Sequence, residues 1–400
     1  MEKISDVQNI LVAGNGFDLH HCLPTRYLDF LNIIQRLMEL ERDGNLDKCQ
    51  YLAYVLGSQS PLYESNMMVK RCYDVHKSVI DKTRLDTKTL KKMVNLAKKN
   101  IWMKFFIERN EKKGGWVDFE NEIALIIRAF TNLIKNMDKV CKELGVEVYV
   151  DDLSLSKEDR YFMMSKAFSE LYKSDEEKTL KKEFWNIQEE NGEDIFLSVN
   201  SKKIAERLYS HLEDFVKILN WYIIEFVQKV AVTKQSKNNL FIQCDRVITF
   251  NYTNTFSILY DKSCQIPVSF VHGSAQMNNM VLGIDSDESD QMGTLDLSFV
   301  EFKKYYQRAF FNTDYNLKNN LPEGGKYMLH FVGHSMDVTD QDILKALIRN
   351  KKVTESIVYY HDKDSHRQVI TNVIALFGKD EFDELRLQNK IRFEKLESFE

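Results

Sequence analysis

The chain is 400 residues long, 44% of them apolar, with 55 basic and 60 acidic residues and a net charge of −5. That length fits two or three domains with a sizeable core, and the near balance of charge carries no signature of a nucleic-acid-binding or membrane-surface protein. Six widely spaced cysteines without a Cys-x-x-Cys pair argue against a zinc ribbon and against a disulfide framework.

The first residues, Met1 to Asp6, are polar and lead straight into a strand, so no signal peptide is expected. The run Asn9-Ile10-Leu11-Val12-Ala13 then ends in Gly14-Asn15-Gly16-Phe17-Asp18. A short apolar run closed by a glycine turn is the pattern of a buried strand that holds a nucleotide at its carboxyl end. From Tyr27 to Glu41 apolar residues follow a helical period, and Ile123, Ile126, Phe130, Leu133, Met137, Val140 and Leu144 keep 3–4 spacing. Ile204 to Val230 repeats that pattern. Such stripes form bundle cores or, alternatively, intermolecular coiled coils. Residues 151–200 read as shorter helices and a loop, and no strand is expected between about 31 and 240.

The character changes at Leu240. β-like runs recur at Arg246 to Asn251, Val268 to His272, Met280 to Gly283, Met328 to Gly333, Ser356 to Tyr360 and Ile391 to Phe393. Helical patterns separate them at Ser298 to Phe311, Asp340 to Arg349 and His366 to Phe377. Strand–helix alternation argues for an open parallel sheet, which the Asn9 strand most naturally joins. The expected architecture is an α/β Rossmann domain of residues 1–30 and 240–400, interrupted by an α-helical insertion at 31–239. No apolar run approaches the roughly eighteen residues needed to span a bilayer, so a soluble, cytoplasmic protein is expected.

In a parallel sheet, polar residues just past the strand ends point into the ligand crevice. Five runs end this way: Gly14 to Asp18, Asn251-Tyr252-Thr253, His272-Gly273, Gly333-His334-Ser335 and His361-Asp362. Singly, each is as well explained by a helix cap or an Asx-turn. Together they would set one amide, one imidazole and two glycine turns around one crevice.

Three further motifs have a structural and a functional reading. Asp118 in Trp116-Val117-Asp118-Phe119-Glu120 suits a helix N-cap, with Glu120 favourable to the helix dipole; alternatively, either acid reaches into the crevice. Gly333-His334-Ser335-Met336-Asp337 mimics a nucleophile elbow, but Asp337 replaces the final glycine, and a triad would need an Asp and then a His from the last sixty-five residues, with Asp362 and His366 the obvious pair. The run Asp285 to Asp290 lacks the glycine and closing glutamate of a calcium loop and reads as a solvated acidic loop.

Gly14-Asn15-Gly16-Phe17-Asp18-Leu19, followed by Leu23-Pro24-Thr25 and Tyr27-x-Asp29-Phe30, resembles the opening of the bacteriophage abortive-infection AbiH family. Trp116 to Glu120, Phe250-Asn251-Tyr252-Thr253, His272-Gly273 and Gly333-His334-Ser335-Met336-Asp337 with Asp340 fit its later motifs in order. More distantly, the order glycine turn, Thr-x-Asn, His-Gly, Gly-x-Ser is similar to sirtuin-like NAD-binding domains.

That second resemblance implies a sirtuin-like Rossmann sheet with NAD as substrate and no metal. It assigns Asn251 to the nicotinamide ribose and the attacking water, and His272 to the base on a ribose hydroxyl. Gly14, Asn15, Gly16, Phe17 and Asp18 would contact phosphate or ribose, with Thr25 and Arg26 on the loop above and Tyr252 beside Asn251. Gly333, His334 and Ser335 would hold the adenosine end. The absence of a four-cysteine module after His272 disfavours lysine deacylation and leaves NAD hydrolysis by water. The expectation is an antiphage NAD glycohydrolase whose helical insertion senses a phage-derived trigger or forms a homo-oligomer. The alternatives are a nucleotide-binding sensor without turnover and a nucleic-acid-directed toxin, the latter disfavoured by the mild acidity.

Overall fold

In a computed structural model of the chain, the structure describes residues 7–113, 118–174, 176, 178–190, 192–231, 241, 243–284, 297–313, 321–322 and 325–396. The chain divides into two compact units, one of residues 1–90, 219–281 and 308–400, the other of 91–218 and 282–307. The helices up to residue 90 are therefore compact with the sheet.

Eight strands lie among the described residues: β1 (Gln8–Ala13), β2 (Trp185–Glu190), β3 (Glu193–Val199), β4 (Arg246–Thr249), β5 (Val268–Phe270), β6 (Tyr327–Val332), β7 (Val353–Tyr360) and β8 (Ile391–Lys395). Six of them form one sheet in the order β5-β4-β1-β6-β7-β8, with every pairing parallel. Counted along the chain within that sheet, the order is 3-2-1-4-5-6, the doubly wound α/β order in which ligands bind where the direction of winding reverses. Here the reversal falls between β1 and β6. Ala13, at the end of β1, pairs with Thr249 on one side and Val332 on the other.

The apolar run of β1 is unbroken because both faces of the sheet are covered. Ile10 and Val12 join a core with Phe250, Met336 and the helices Gln341–Ile348, Lys363–Phe377 and Lys379–Leu387. Leu11 and Ala13 join the opposite core with Phe17, Phe241, Val247 and Phe256. The segment after the glycine turn is pinned by Asp29, which is fully buried in the helix Tyr27–Arg42. Arg26 donates from Nε and Nη2 to its carboxylate at 2.9 and 2.7 Å, and Asn66 Nδ2 donates to it at 3.1 Å.

The run Met280 to Gly283 is not a strand. Leu282 instead exchanges its backbone hydrogen bonds with the side-chain amide of Gln307, which donates to its carbonyl and accepts from its N–H at 3.0 Å each. A glutamine thus takes the place of a neighbouring strand.

The second unit is mainly helical, but it holds the antiparallel hairpin β2–β3, against the expectation of no strand before residue 240. Its long helix Phe119–Leu144 buries Ile123, Ile126, Phe130, Leu133 and Met137, while Leu144 is exposed. Phe106 stacks on Phe119 with ring centroids 4.3 Å apart. The stripe is therefore intramolecular core.

Asp118 is the N-cap of this helix, accepting from the N–H groups of Glu120 and Asn121. Glu120 pairs with Lys304 at 2.7 Å and Glu122 with Arg109 at 2.7 Å. The capping reading holds; Trp116 and Val117 lie outside the described residues, as does the acidic run 285–290. Asp118→Ala is expected to cost about 1 kcal/mol, the usual worth of such a cap, read as a small fall in the urea midpoint. Among the described residues no helix is long and apolar enough to cross a membrane.

Candidate functional site

At the switch point the two glycine turns pack directly on each other. Gly14 donates its N–H to the Val332 carbonyl at 3.0 Å, Gly16 to Gly333 at 2.8 Å, and Phe17 back to Gly14 at 2.9 Å. A Cβ on Gly14 would lie 2.6 Å from His334 Cα, and one on Gly16 2.6 Å from Gly333 Cα. Only glycine allows this approach, because the obstacles are backbone atoms. These amides join turn to turn, and Asn15 stands exposed at the start of the helix Asn15–His20.

Two side-chain groups form at this carboxyl edge. The first lies beside the Phe17–Phe256 core. Asn251, just past β4, is buried; its N–H donates to Thr249 Oγ1 at 3.1 Å and its Nδ2 to the Gly14 carbonyl at 3.0 Å. It thereby ties the end of β4 to the end of β1. Thr253 Oγ1 donates to Asp18 Oδ2 at 2.6 Å, and Thr255 Oγ1 donates to Thr253 Oγ1 at 3.1 Å.

Asp18 is only 1% exposed, and its Oδ1 has no hydrogen-bond partner among the described residues. Burial pushes its carboxyl up to about 6, against the hydrogen bonds of Thr253, Thr255 and Asn251, which favour the ionised form. Ala13, Phe17, Asp18, Thr249, Asn251 and Thr253 line a small cavity of about 10 Å³ here, room for one water.

The second group surrounds Phe250, whose ring belongs to the opposite core. His272, just past β5, is buried, and its Nε2 lies 2.9 Å from Asp340 Oδ1. His334 Nε2 lies 3.7 Å from the other oxygen, Oδ2, of the same carboxylate. The Phe250 ring centroid is 5.6 Å from His272 and 4.3 Å from His334, both edge-on. Met336 donates its N–H to His334 Nδ1 at 3.0 Å, which requires a lone pair there and puts the His334 proton on Nε2. Likewise a neutral His272 presents Nε2–H to Asp340 and carries its lone pair on Nδ1.

The remaining candidates fall into place around these groups. Tyr252 is half-buried and donates its hydroxyl to the Val281 carbonyl at 2.7 Å. Thr25 Oγ1 is buried with no hydrogen-bond partner among the described residues. The Arg26 guanidinium is held on Asp29, and Ser335 is exposed, its carbonyl accepting from Asn372 Nδ2 at 2.7 Å. The fifth strand end serves local structure: Asp362 caps the helix Lys363–Phe377, and the His366 ring stacks on Tyr360 at 3.8 Å. Asp362 and His366 are thus engaged locally.

Sequence reasoning placed Asp340 in a motif without its partner and passed over Thr255. Its only signal for Asp340 was the downstream acid after Gly333-His334-Ser335-Met336-Asp337.

The family described as bacteriophage abortive infection AbiH matches residues 10–361, from β1 to just past β7. The chain belongs to that family. No curated protein and no solved structure matches it. The residues that carry the resemblance now have structural meanings. In this AbiH chain the opening Gly-x-Gly and the later Gly-His-Ser are the two turns in contact at the switch point, Leu-Pro-Thr leads to the Arg26–Asp29 pair, and Asn251 and Asp340 anchor the two side-chain groups. Family membership assigns the protein a role in abortive infection by bacteriophage.

Proposed function

We propose that this AbiH protein is an abortive-infection effector that binds NAD at the carboxyl edge of its parallel sheet and hydrolyses the nicotinamide–ribose bond. The observation that carries the reading is the His272–Asp340 pair just past the end of β5, the strand paired with β4, past whose end Asn251 lies. A histidine whose Nε2–H is held by a carboxylate is fixed in orientation and tautomer, which suits it to take a proton from a ribose hydroxyl at Nδ1. Asn251, fixed by its bond to Gly14, would set the position of the nicotinamide ribose.

The glycine amides at 14 and 16 are engaged with carbonyls 332 and 333, so in this reading phosphate contact falls to Asn15, Thr25 and Arg26. Gly333, His334 and Ser335 would border the adenosine end. The choice of NAD rests on the motif order shared with sirtuin-like domains. A phage-derived trigger acting on the helical unit, with or without self-association, would release the activity in the cytoplasm.

The test is nicotinamide release from NAD followed by proton NMR, with and without phage-infected lysate. Wild type is expected to release nicotinamide, and His272→Ala to lose about 100-fold or more of the rate. Asn251→Ala is expected to fall with it. No release under either condition overturns the reading; intact NAD that stays bound would instead make the protein a nucleotide sensor.

A further inference from the structure

Among the described carboxylates of this edge, Asp18 is the one whose surroundings an ordinary structural role does not explain. It is 1% exposed, yet the groups that set its proton affinity are neutral: the hydroxyls of Thr253 and Thr255 and the amide of Asn251. A phosphate contact, the natural expectation for a residue in a glycine turn, is excluded by like charge and by burial. The hydroxyl chain is directional. Thr255 donates to Thr253, and Thr253 donates to Asp18 Oδ2, so hydrogen bonding converges on that oxygen and leaves Oδ1 without a hydrogen-bond partner among the described residues.

An acceptor buried without a partner is costly unless something else satisfies it. Beside it lies the small cavity with room for one water, lined in part by Thr249, Thr253 and Thr255, with Asn251 forming one wall. The same Asn251 is the residue assigned to the nicotinamide ribose. The cavity and the proposed reaction centre therefore share a side chain.

We propose that Asp18 and a water in this cavity form the hydrolytic half of the site, with Asp18 as the base for that water. The inference rests on the NAD reading above. As the C1′–N bond breaks and its electron pair leaves on the nicotinamide nitrogen, the water oxygen bonds to C1′ and its proton passes to Asp18, then to solvent. The two proton-accepting groups then stand to either side of the β4 end, His272 for the ribose hydroxyl and Asp18 for the water. Because burial brings the Asp18 carboxyl to about 6, it can accept a proton and release it again near neutral pH.

The experiment compares wild type, Asp18→Asn and Asp18→Ala in the lysate-stimulated nicotinamide-release assay, with KM for NAD determined for each. Asp18→Asn keeps the shape and is expected to lower kcat about 100-fold or more while KM stays within about threefold. Sodium azide, a nucleophile that needs no base, is expected to restore nicotinamide release by Asp18→Ala and to yield azido-ADP-ribose. Retention of near wild-type kcat by Asp18→Asn overturns the inference and leaves the NAD reading standing. So does an Asp18→Ala protein that binds NAD but gains nothing from azide. A wild type that releases no nicotinamide overturns both.

Discussion

Gly333→Ala is expected to cost more than about 4 kcal/mol and to leave little soluble protein, whereas Gly44→Ala, also at a left-handed glycine, costs only about 1–2 kcal/mol. The two positions share the backbone requirement, with φ of +66° and +69°. They differ in what a methyl group would meet. At Gly44 nothing lies within 4 Å; at Gly333 the Cβ would sit 2.2 Å from the Phe17 nitrogen and 2.4 Å from the Gly16 carbonyl carbon.

Those obstacles are backbone atoms at the start of the Asn15–His20 helix, and they cannot rotate aside. Relief requires the two turns to separate, which breaks the Gly16 N–H bond to the Gly333 carbonyl and disturbs the ends of β1 and β6 together. His334, one residue on, would lose its place beside Phe250. Soluble yield and thermal midpoint of the two variants read the difference. A Gly333→Ala protein as stable as Gly44→Ala would mean that the two turns are not in contact.

The same packing explains what the sequence could and could not disclose. β1 was legible because a strand buried on both faces is an unbroken apolar run, and its glycine turn because few other residues permit so close an approach. The hairpin β2–β3 was not: of its ends Trp185 and Val199 are buried, but the strands between carry Glu189, Glu190, Glu193 and Asp194, which blur the alternation. Met280 to Gly283 misled for the converse reason. Its apolar residues are buried, but the backbone of Leu282 is satisfied by a glutamine side chain 25 residues away, a partner that periodicity does not reveal.

In the site, the polar ends after β4 and β5 were visible as residues, and their partners were not. Asp340 lies 68 positions beyond His272, and Thr253 lies 235 beyond Asp18. Local pattern gives the place of each strand end in the sheet but not which ends meet on which side of it. Asp18 shows the consequence most plainly. In sequence it is an acid in the first turn of a helix, ready for solvent or ligand; folding places it against Thr253, out of water.

That burial sets a second expectation, in which Asp18→Asn makes the protein more stable than wild type by an amount that grows with pH. In the unfolded chain an aspartate releases its proton near 3.8, and in the folded protein Asp18 holds it to about 6. Between those values the native state binds the proton more tightly than the unfolded state, so raising the pH removes stability. Above about 7 both states are ionised and the loss is complete, at about 3 kcal/mol for a gap of this size.

Asparagine does not titrate. Its carbonyl can still accept from Thr253, and its NH₂ can face the cavity where the orphan oxygen was. The difference in unfolding free energy, variant minus wild type, should therefore climb by about 3 kcal/mol from pH 3 to 8 and level off beyond. Urea unfolding of both proteins at several pH values measures it, and every other carboxylate cancels in the difference. A difference that stays flat across the window would mean that Asp18 is ionised as easily folded as unfolded, and so is not buried. The expected slope identifies a carboxylate kept charged at neutral pH against the stability of its own fold, which is the condition a buried base has to meet before it can accept a proton from water.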